Sequence, residues 1–270
     1  MGSSVPVTDD ELPAWSLGAA GDDAHVAAWP SPLTREWAIG ASDGTGVRVC
    51  IVDSGVDASH PDVGVVTSAM AVEDGEIVLD ELGDVSGHGT ACAGIVRAIA
   101  PGVELSSVRV LGADMTGGGA AFLAGLRWAV EQGFDVVNLS LSTRKRAFLD
   151  ELHEVVDAAY FARTILVASA HNLAVESWPW RFASVLSVAT HGGDDPLEYH
   201  YNPQPPVEFF GRGVDVRCAW LDGGRVVATG NSFATAHVAG IAARVRGAHP
   251  ELTPFALKTV LQLTGGRGDP

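Results

Sequence analysis

The sequence predicts a three-layer α/β fold: a doubly wound, mostly parallel sheet with helices on both faces. Three observations carry that prediction. Apolar runs of strand length alternate with helical patterns along most of the chain, as parallel strands joined by helical crossovers require. The run Val47–Val52 is dominated by apolar residues, as suits a central strand buried on both faces. Two candidate functional residues, Asp53 and Asn172, follow predicted strands. Ligands of open α/β sheets bind at those carboxyl ends.

The elements follow in order. Residues 1–30 are acidic and turn-rich, with Asp9, Asp10, Glu11, Asp22 and Asp23, and read as a loosely ordered extension. Residues 31–270 read as one domain without internal repeats. Val47–Val52 is a strand. His88–Ala98 is a helix whose small residues Ala91, Ala93 and Gly94 allow close approach. Leu105–Leu111 is a strand, and Ala120–Gln132 is a helix stopped by Gly133. Val136–Leu141 and Ile165–Ala168 are strands flanking a helix near Asp150–Ala162. Val185–Val188 is a further strand. Ser232–Gly247 is a long apolar helix, and Thr253–Leu263 opens with a Thr-Pro helix start.

Composition narrows the function. The chain has 270 residues, 47% of them hydrophobic, enough for a large core. Asp and Glu number 33 against 17 Lys and Arg, a formal charge of −16 that phosphate backbones would repel. A nucleic-acid partner is therefore not expected. No apolar run reaches membrane-spanning length, and the first residues lack the basic and apolar regions of a secretory signal. Cys50, Cys92 and Cys218 read as free thiols of a reducing compartment, so a cytoplasmic protein is expected. Composition leaves the oligomeric state open.

Three separated segments carry the chemistry: Val52–Asp57 (VDSGVD), Gly87–Thr90 (GHGT) and Gly230–Thr235 (GNSFAT). A serine hydroxyl is a poor nucleophile at neutral pH. It needs a base within reach, and the base needs a partner fixing its tautomer. Ser232, His88 and Asp53 offer those roles. Ser232 falls at a helix start, where unpaired N–H groups favour negative charge. Gly87 and Gly89 are expected to leave room for the His88 ring. Each segment alone has a blander reading: a turn carboxylate, a tight turn, a helix cap.

Taken together the segments resemble the subtilisin-like serine proteases (subtilases), in which acid, base and nucleophile follow the chain order Asp, His, Ser. Val47–Asp57 with His60-Pro61-Asp62 resembles the acid motif, Gly87–Gly94 the histidine motif and Gly230–Gly240 the serine motif. The segments around Val110-Leu111-Gly112, Asp135–Leu141 and Val167–Asn172 resemble the intervening strands. The likeness runs from about Thr34 to Leu263. It implies a serine endopeptidase acting through an acyl-enzyme, with Asn172 as a side-chain oxyanion donor rather than a plain loop asparagine. It implies that a peptide or protein substrate adds as a strand between Met115–Gly119 and Leu139–Ser142. Gly117, Gly118 and Gly119 would form one edge. Ser140, Leu141, Ser142, Ala168, Ser169 and Ala170 would line the first-subsite pocket. Processing of a precursor peptide is a narrower form of this function. The alternative from another class is a catalytically silent peptide-binding module that keeps the fold.

Departures from the family pattern are informative. Asn231, Phe233 and Ala236 stand where the common pattern has Thr, Met and Pro. The stretch from His88 to Leu111 lacks the loop that holds a calcium ion in many secreted subtilases, and Asp62 alone is not a site. The segment after Asn172 reaches Trp178-Pro179 quickly, so the pocket wall is expected to be rebuilt. His25, His60, His153, His191, His200, His237 and His249 show no metal-ligand spacing, so no metal or other cofactor is expected. Arg144-Lys145-Arg146 is a basic run beside the proposed substrate strand. It reads either as a flank of the cleft or as a solvated loop.

Overall fold

The structure, a computed structural model, describes residues 29–267. The expected extension at residues 1–30 therefore lies almost wholly outside the described residues. Helices are α1 (Arg35–Ile39), α2 (His88–Ile99), α3 (Gly119–Glu131), α4 (Leu149–Phe161), α5 (Asn231–Ala248) and α6 (Pro254–Thr264). Strands in the first half are β1 (Arg48–Asp53), β2 (Val66–Glu73), β3 (Glu76–Leu79), β4 (Glu104–Arg109) and β5 (Val136–Leu139). In the second half they are β6 (Ile165–Ser169), β7 (Leu186–His191), β8 (Tyr199–Tyr201), β9 (Phe209–Arg212), β10 (Val216–Ala219), β11 (Arg225–Ala228) and β12 (Gly266–Arg267).

Ten strands form one sheet in the order β12-β8-β9-β7-β6-β5-β1-β4-β2-β3, and β10 and β11 form a separate antiparallel hairpin. From β2 to β9 the neighbours run parallel; β3 and β8 join antiparallel to β2 and β9. The central strands β1, β5 and β6 are buried on both faces, which is why their sequences are apolar without alternation. Helices α2 and α5 cover one face, and α3 and α4 the other. The two covering helices touch closely because Gly240 has no side chain: a Cβ there would sit 2.6 Å from Ile99 Cβ.

The predicted elements recur with ends shifted by one to three residues, and Gly133 stops α3 with φ 68° as a C-terminal glycine should. Elements without a sequence expectation are short or half-exposed: the edge hairpin β2–β3 and the strands β8 to β12. Two expectations need correction. Residues 140 and 141, expected to complete the strand Val136–Leu141, lie beyond it, and the proposed edge segment 115–119 is a turn leading into a helix. Met115 takes φ 58°, Gly119 already opens α3, and β5 ends at Leu139. Ala168 does not line a pocket either. It is fully buried in β6, in the core cluster that includes Leu126 and Val156 of α3 and α4.

Candidate active site

Strand β1 delivers Asp53 to its carboxyl end between β4 and β5, wholly buried. Asp53 Oδ1 accepts hydrogen bonds from the Ser54 N–H at 2.8 Å and from His88 Nδ1 at 2.8 Å. The His88 proton therefore sits on Nδ1, and Nε2 keeps its lone pair. Burial disfavours the imidazolium, but the charge and hydrogen bond of Asp53, with the charge of Asp84, outweigh it and raise the His88 pKa above the usual value.

Asp84 is the organiser that sequence reasoning missed. Its Oδ1 accepts from Ser54 Oγ (2.8 Å), Ser86 N–H (2.9 Å) and Gly87 N–H (2.8 Å), and its Oδ2 from Thr90 N–H (2.7 Å). One carboxylate thus satisfies orphan donors at the start of α2 and ties them to the residue after Asp53. The signal was present: an Asp three residues ahead of the Gly87 helix cap. Gly87 and Gly89 do not serve mainly to free the histidine ring, as expected. Gly87 takes φ 93° against the Trp220 ring, and a Cβ on Gly89 would lie 2.0 Å from the Gly55 carbonyl oxygen. These glycines let separate segments touch.

Helix α5 presents Ser232 in its first turn. Ser232 Oγ donates to the Ser140 carbonyl at 3.3 Å, and Ser140 Oγ donates to the Ser232 carbonyl at 3.1 Å. Ser140 Oγ also accepts from Asn138 Nδ2 (3.0 Å) and the Cys92 thiol (3.4 Å). The nucleophile helix is in this way latched to the end of β5. Ser232 and His88 line the same cleft, and no hydrogen bond joins them among the described residues; such bonds often tighten only with substrate bound.

Asn172 follows β6 and faces the cleft. Its Oδ1 accepts the Asn231 N–H at 3.1 Å. Because a backbone N–H can only donate, the amide orientation is fixed and Nδ2 is left as the free donor. Asn231, noticed in the sequence only as a departure, is a brace. Its Nδ2 donates to the Ala170 carbonyl (3.0 Å) and its Oδ1 accepts the Thr190 N–H (3.0 Å). It thereby joins the ends of β6 and β7 to the first residue of α5.

The cleft holds about 470 Å³. Gly117–Gly119, Ser140–Thr143, Ser169 and Ala170 line it, with His88, Asn172 and Ser232. Lys145 also lines it, whereas Arg146 pairs with Glu176 at 3.0 Å and lies over the Trp178 ring. The basic run is thus divided between cleft and loop. Cys92, one turn beyond His88, is buried; burial first, and then the Asp53 charge, push its thiol pKa well up. Asp62 is held by Arg225 through two contacts of 2.6 Å, so a guanidinium neutralises that carboxylate. His60 Nε2 meets the Gly224 carbonyl and His249 Nε2 the Trp37 carbonyl, while His153 lies near Asp157. His237 is kept neutral chiefly by burial, which pushes its pKa down to about 4. His25 lies outside the described residues. His191 and His200, unrelated by sequence spacing, come together.

A family model described as the subtilase family matches residues 44–199 and 221–268. This chain belongs to the subtilase family of serine endopeptidases. The subtilase is 30% identical over 236 residues to subtilisin DY of Bacillus licheniformis, an alignment covering 82% of this chain and 84% of that protein. It is 30% identical over 221 residues to the thermostable alkaline protease of Halalkalibacterium halodurans, covering 78% of this chain and 59% of the relative's length. Among solved structures, a cold-adapted subtilisin-like serine proteinase superposes with a TM-score of 0.67 at 27% identity, covering 81% of this chain and 82% of that one. Sphericase, at 23% identity and a TM-score of 0.69, shares the fold.

Proposed function

We propose that this subtilase cleaves peptide bonds through an acyl-enzyme on Ser232, with His88 as base, Asp53 as its orienting acid and Asn172 as oxyanion donor. The observation that carries the reading is the 2.8 Å bond between His88 Nδ1 and buried Asp53 on a cleft wall shared with Ser232. Ser232 Oγ leaves the Ser140 carbonyl and gives its proton to His88 Nε2 as it attacks the substrate carbonyl. The oxyanion is met by Asn172 Nδ2 and the Ser232 N–H in the first turn of α5. His88 then returns the proton to the departing amine, and water repeats the sequence to release the acid. Asp53 holds the imidazolium that forms in between.

The substrate is read as an extended peptide lying between Gly117–Gly119 and Ser140–Ser142. Lys145 in the cleft supports a preference for acidic residues near the scissile bond. The cytoplasm is the proposed location, supported by three buried free cysteines, Cys50, Cys92 and Cys218. The test is cleavage of an unstructured protein such as casein by the wild type and by Ser232→Ala. Cleavage by the wild type alone is expected. No cleavage by either would favour the silent peptide-binding module, and cleavage by both would overturn the assignment of Ser232.

A further inference from the structure

We propose that His191, Glu198 and His200 form a binding site for a divalent transition-metal ion of the zinc type, away from the peptidase chemistry. His191 ends β7 and His200 lies in β8, which is separated from β7 in the sheet by β9. The loop between them returns the chain so that one ligand atom from each of His191, Glu198 and His200 falls within 4.8 Å of the others. The two imidazoles meet edge to face with centroids 5.0 Å apart.

The protonation pattern suits a metal. His191 Nε2 lies 3.1 Å from the Glu198 carbonyl oxygen and must donate to it. Nδ1 therefore carries the lone pair, which now accepts the Gly193 N–H at 2.9 Å. A ligating histidine ordinarily donates its other ring N–H to a carbonyl or carboxylate in this way, which fixes the tautomer. His200 turns Nε2 toward Glu198 Oε1 at 3.2 Å, which makes Nε2 its ligand atom, while its Nδ1 faces Gly266 of β12. Gly193 leaves the necessary gap. A Cβ built there would lie 2.6 Å from Glu198 Oε2 and 3.0 Å from His191 Nδ1, so any side chain would fill the space the two ligands share.

Two imidazoles and one carboxylate select zinc-like ions over calcium or magnesium, which prefer all-oxygen shells. Ligands about 2.0–2.2 Å from one ion stand roughly 3.3–3.6 Å apart in a tetrahedron. Release of the Gly193 N–H from His191 Nδ1, with torsional changes in Glu198 and His200, would complete such a set, with a fourth position left to water. Arg212, opposite His191 in β9, opposes a cation; the exposed Asp194 and Asp195 on the same loop offset it. Bound metal would clasp β7, its following loop and β8. Thr190, next to His191, gives its N–H to Asn231, so the clasp would also stiffen a strand end that holds the nucleophile helix.

The test is zinc chloride titrated into metal-free full-length protein carrying Ser232→Ala to prevent self-digestion, read by calorimetry and melting temperature. Cobalt chloride gives a second readout through its visible ligand-field bands. We expect saturable uptake of one zinc per chain with a raised melting temperature. His191→Gln and His200→Gln should each weaken binding at least about tenfold. Gly193→Ala, which removes no ligand and whose φ lies outside the left-handed region, should weaken it too and guards against a histidine variant that fails to fold. Cys92→Ala should leave it intact. Absence of zinc uptake overturns the proposal. So does uptake unchanged in the His191, His200 and Gly193 variants, or uptake lost with Cys92→Ala, which would place the ion at the Asp53, His88 and Cys92 cluster instead.

Discussion

On the acid–base side of the cleft, His88 Nδ1 stands 2.8 Å from Asp53 Oδ1, and Asp84 ties the preceding loop to the helix start through four hydrogen bonds. On the nucleophile side, Ser232 Oγ is turned to the Ser140 carbonyl at 3.3 Å, and Asn172 depends on the backbone of Asn231 for its orientation. The first side is assembled within one stretch, residues 53–90, around a buried carboxylate. The second is assembled where β5, β6, β7 and α5 converge, from residues 138–232. The contrast teaches that tautomer and base position are set before substrate arrives, whereas nucleophile and oxyanion donor are held by braces whose loss should degrade the site by degrees.

Breaking the preassembled side should have the largest effect. Asp53→Asn keeps the shape but lets the His88 proton move to Nε2, and kcat should fall about 10⁴-fold, as for the equivalent change in a serine protease triad. His88 acts as a base only when neutral, so in the wild type kcat/KM should rise with pH through an ionisation above that of a free imidazole. Removing the Asp53 charge takes away the main influence raising that ionisation, so the residual activity should have its acid limb at lower pH. A pH–rate profile of both proteins checks both statements.

On the nucleophile side, Asn172→Ala should lower kcat by about 10²–10³ with little change in KM, the magnitude known for the equivalent amide in subtilisin. Asn231→Ala should cost less, at most about 30-fold in kcat, because it removes two hydrogen bonds of roughly 1 kcal/mol each from the brace and leaves the backbone N–H in place. The double variant should fall little below Asn172→Ala alone, since both act through one donor. Additive losses would show that Asn231 serves stability and not the orientation of Asn172.

The smallest effect concerns charge. Lys145→Ser should reduce the kcat/KM advantage of acidic over neutral peptides a few-fold, and added salt should reduce the wild-type advantage in the same way. Arg146→Ser should do less, since its charge already meets Glu176. Matched peptides at low and high salt provide the check.

What could be read from the sequence divides along the same line. Asp53, His88 and Ser232 are carried by segments whose residue types are tied to one chemistry, and the central strands are apolar because both their faces are buried. Asp84 has a local signal as a cap ahead of Gly87, but its tie to Ser54, 30 residues away, and that of Asn231 to Thr190, 41 residues away, exist only in the fold. The role of the histidine glycines was misjudged because Trp220 and Gly55 reach them only in the fold. Ala168 reads as a pocket residue in sequence because strand position does not say which layer a side chain enters. His191 and His200 looked unrelated because a loop, not a helix turn, brings them together. The strands β8 to β12 are too short to show a period.

The central claim is that Ser232 is made nucleophilic by the His88–Asp53 pair. The most direct measurement is reaction with a fluorophosphonate, with the adduct mapped by peptide mass spectrometry and its rate compared in the wild type and His88→Ala. A single adduct on Ser232 is expected, formed several orders of magnitude more slowly when His88 is replaced, because nucleophile and base act as a unit. An adduct on another residue, or a rate on Ser232 indifferent to His88, would contradict it.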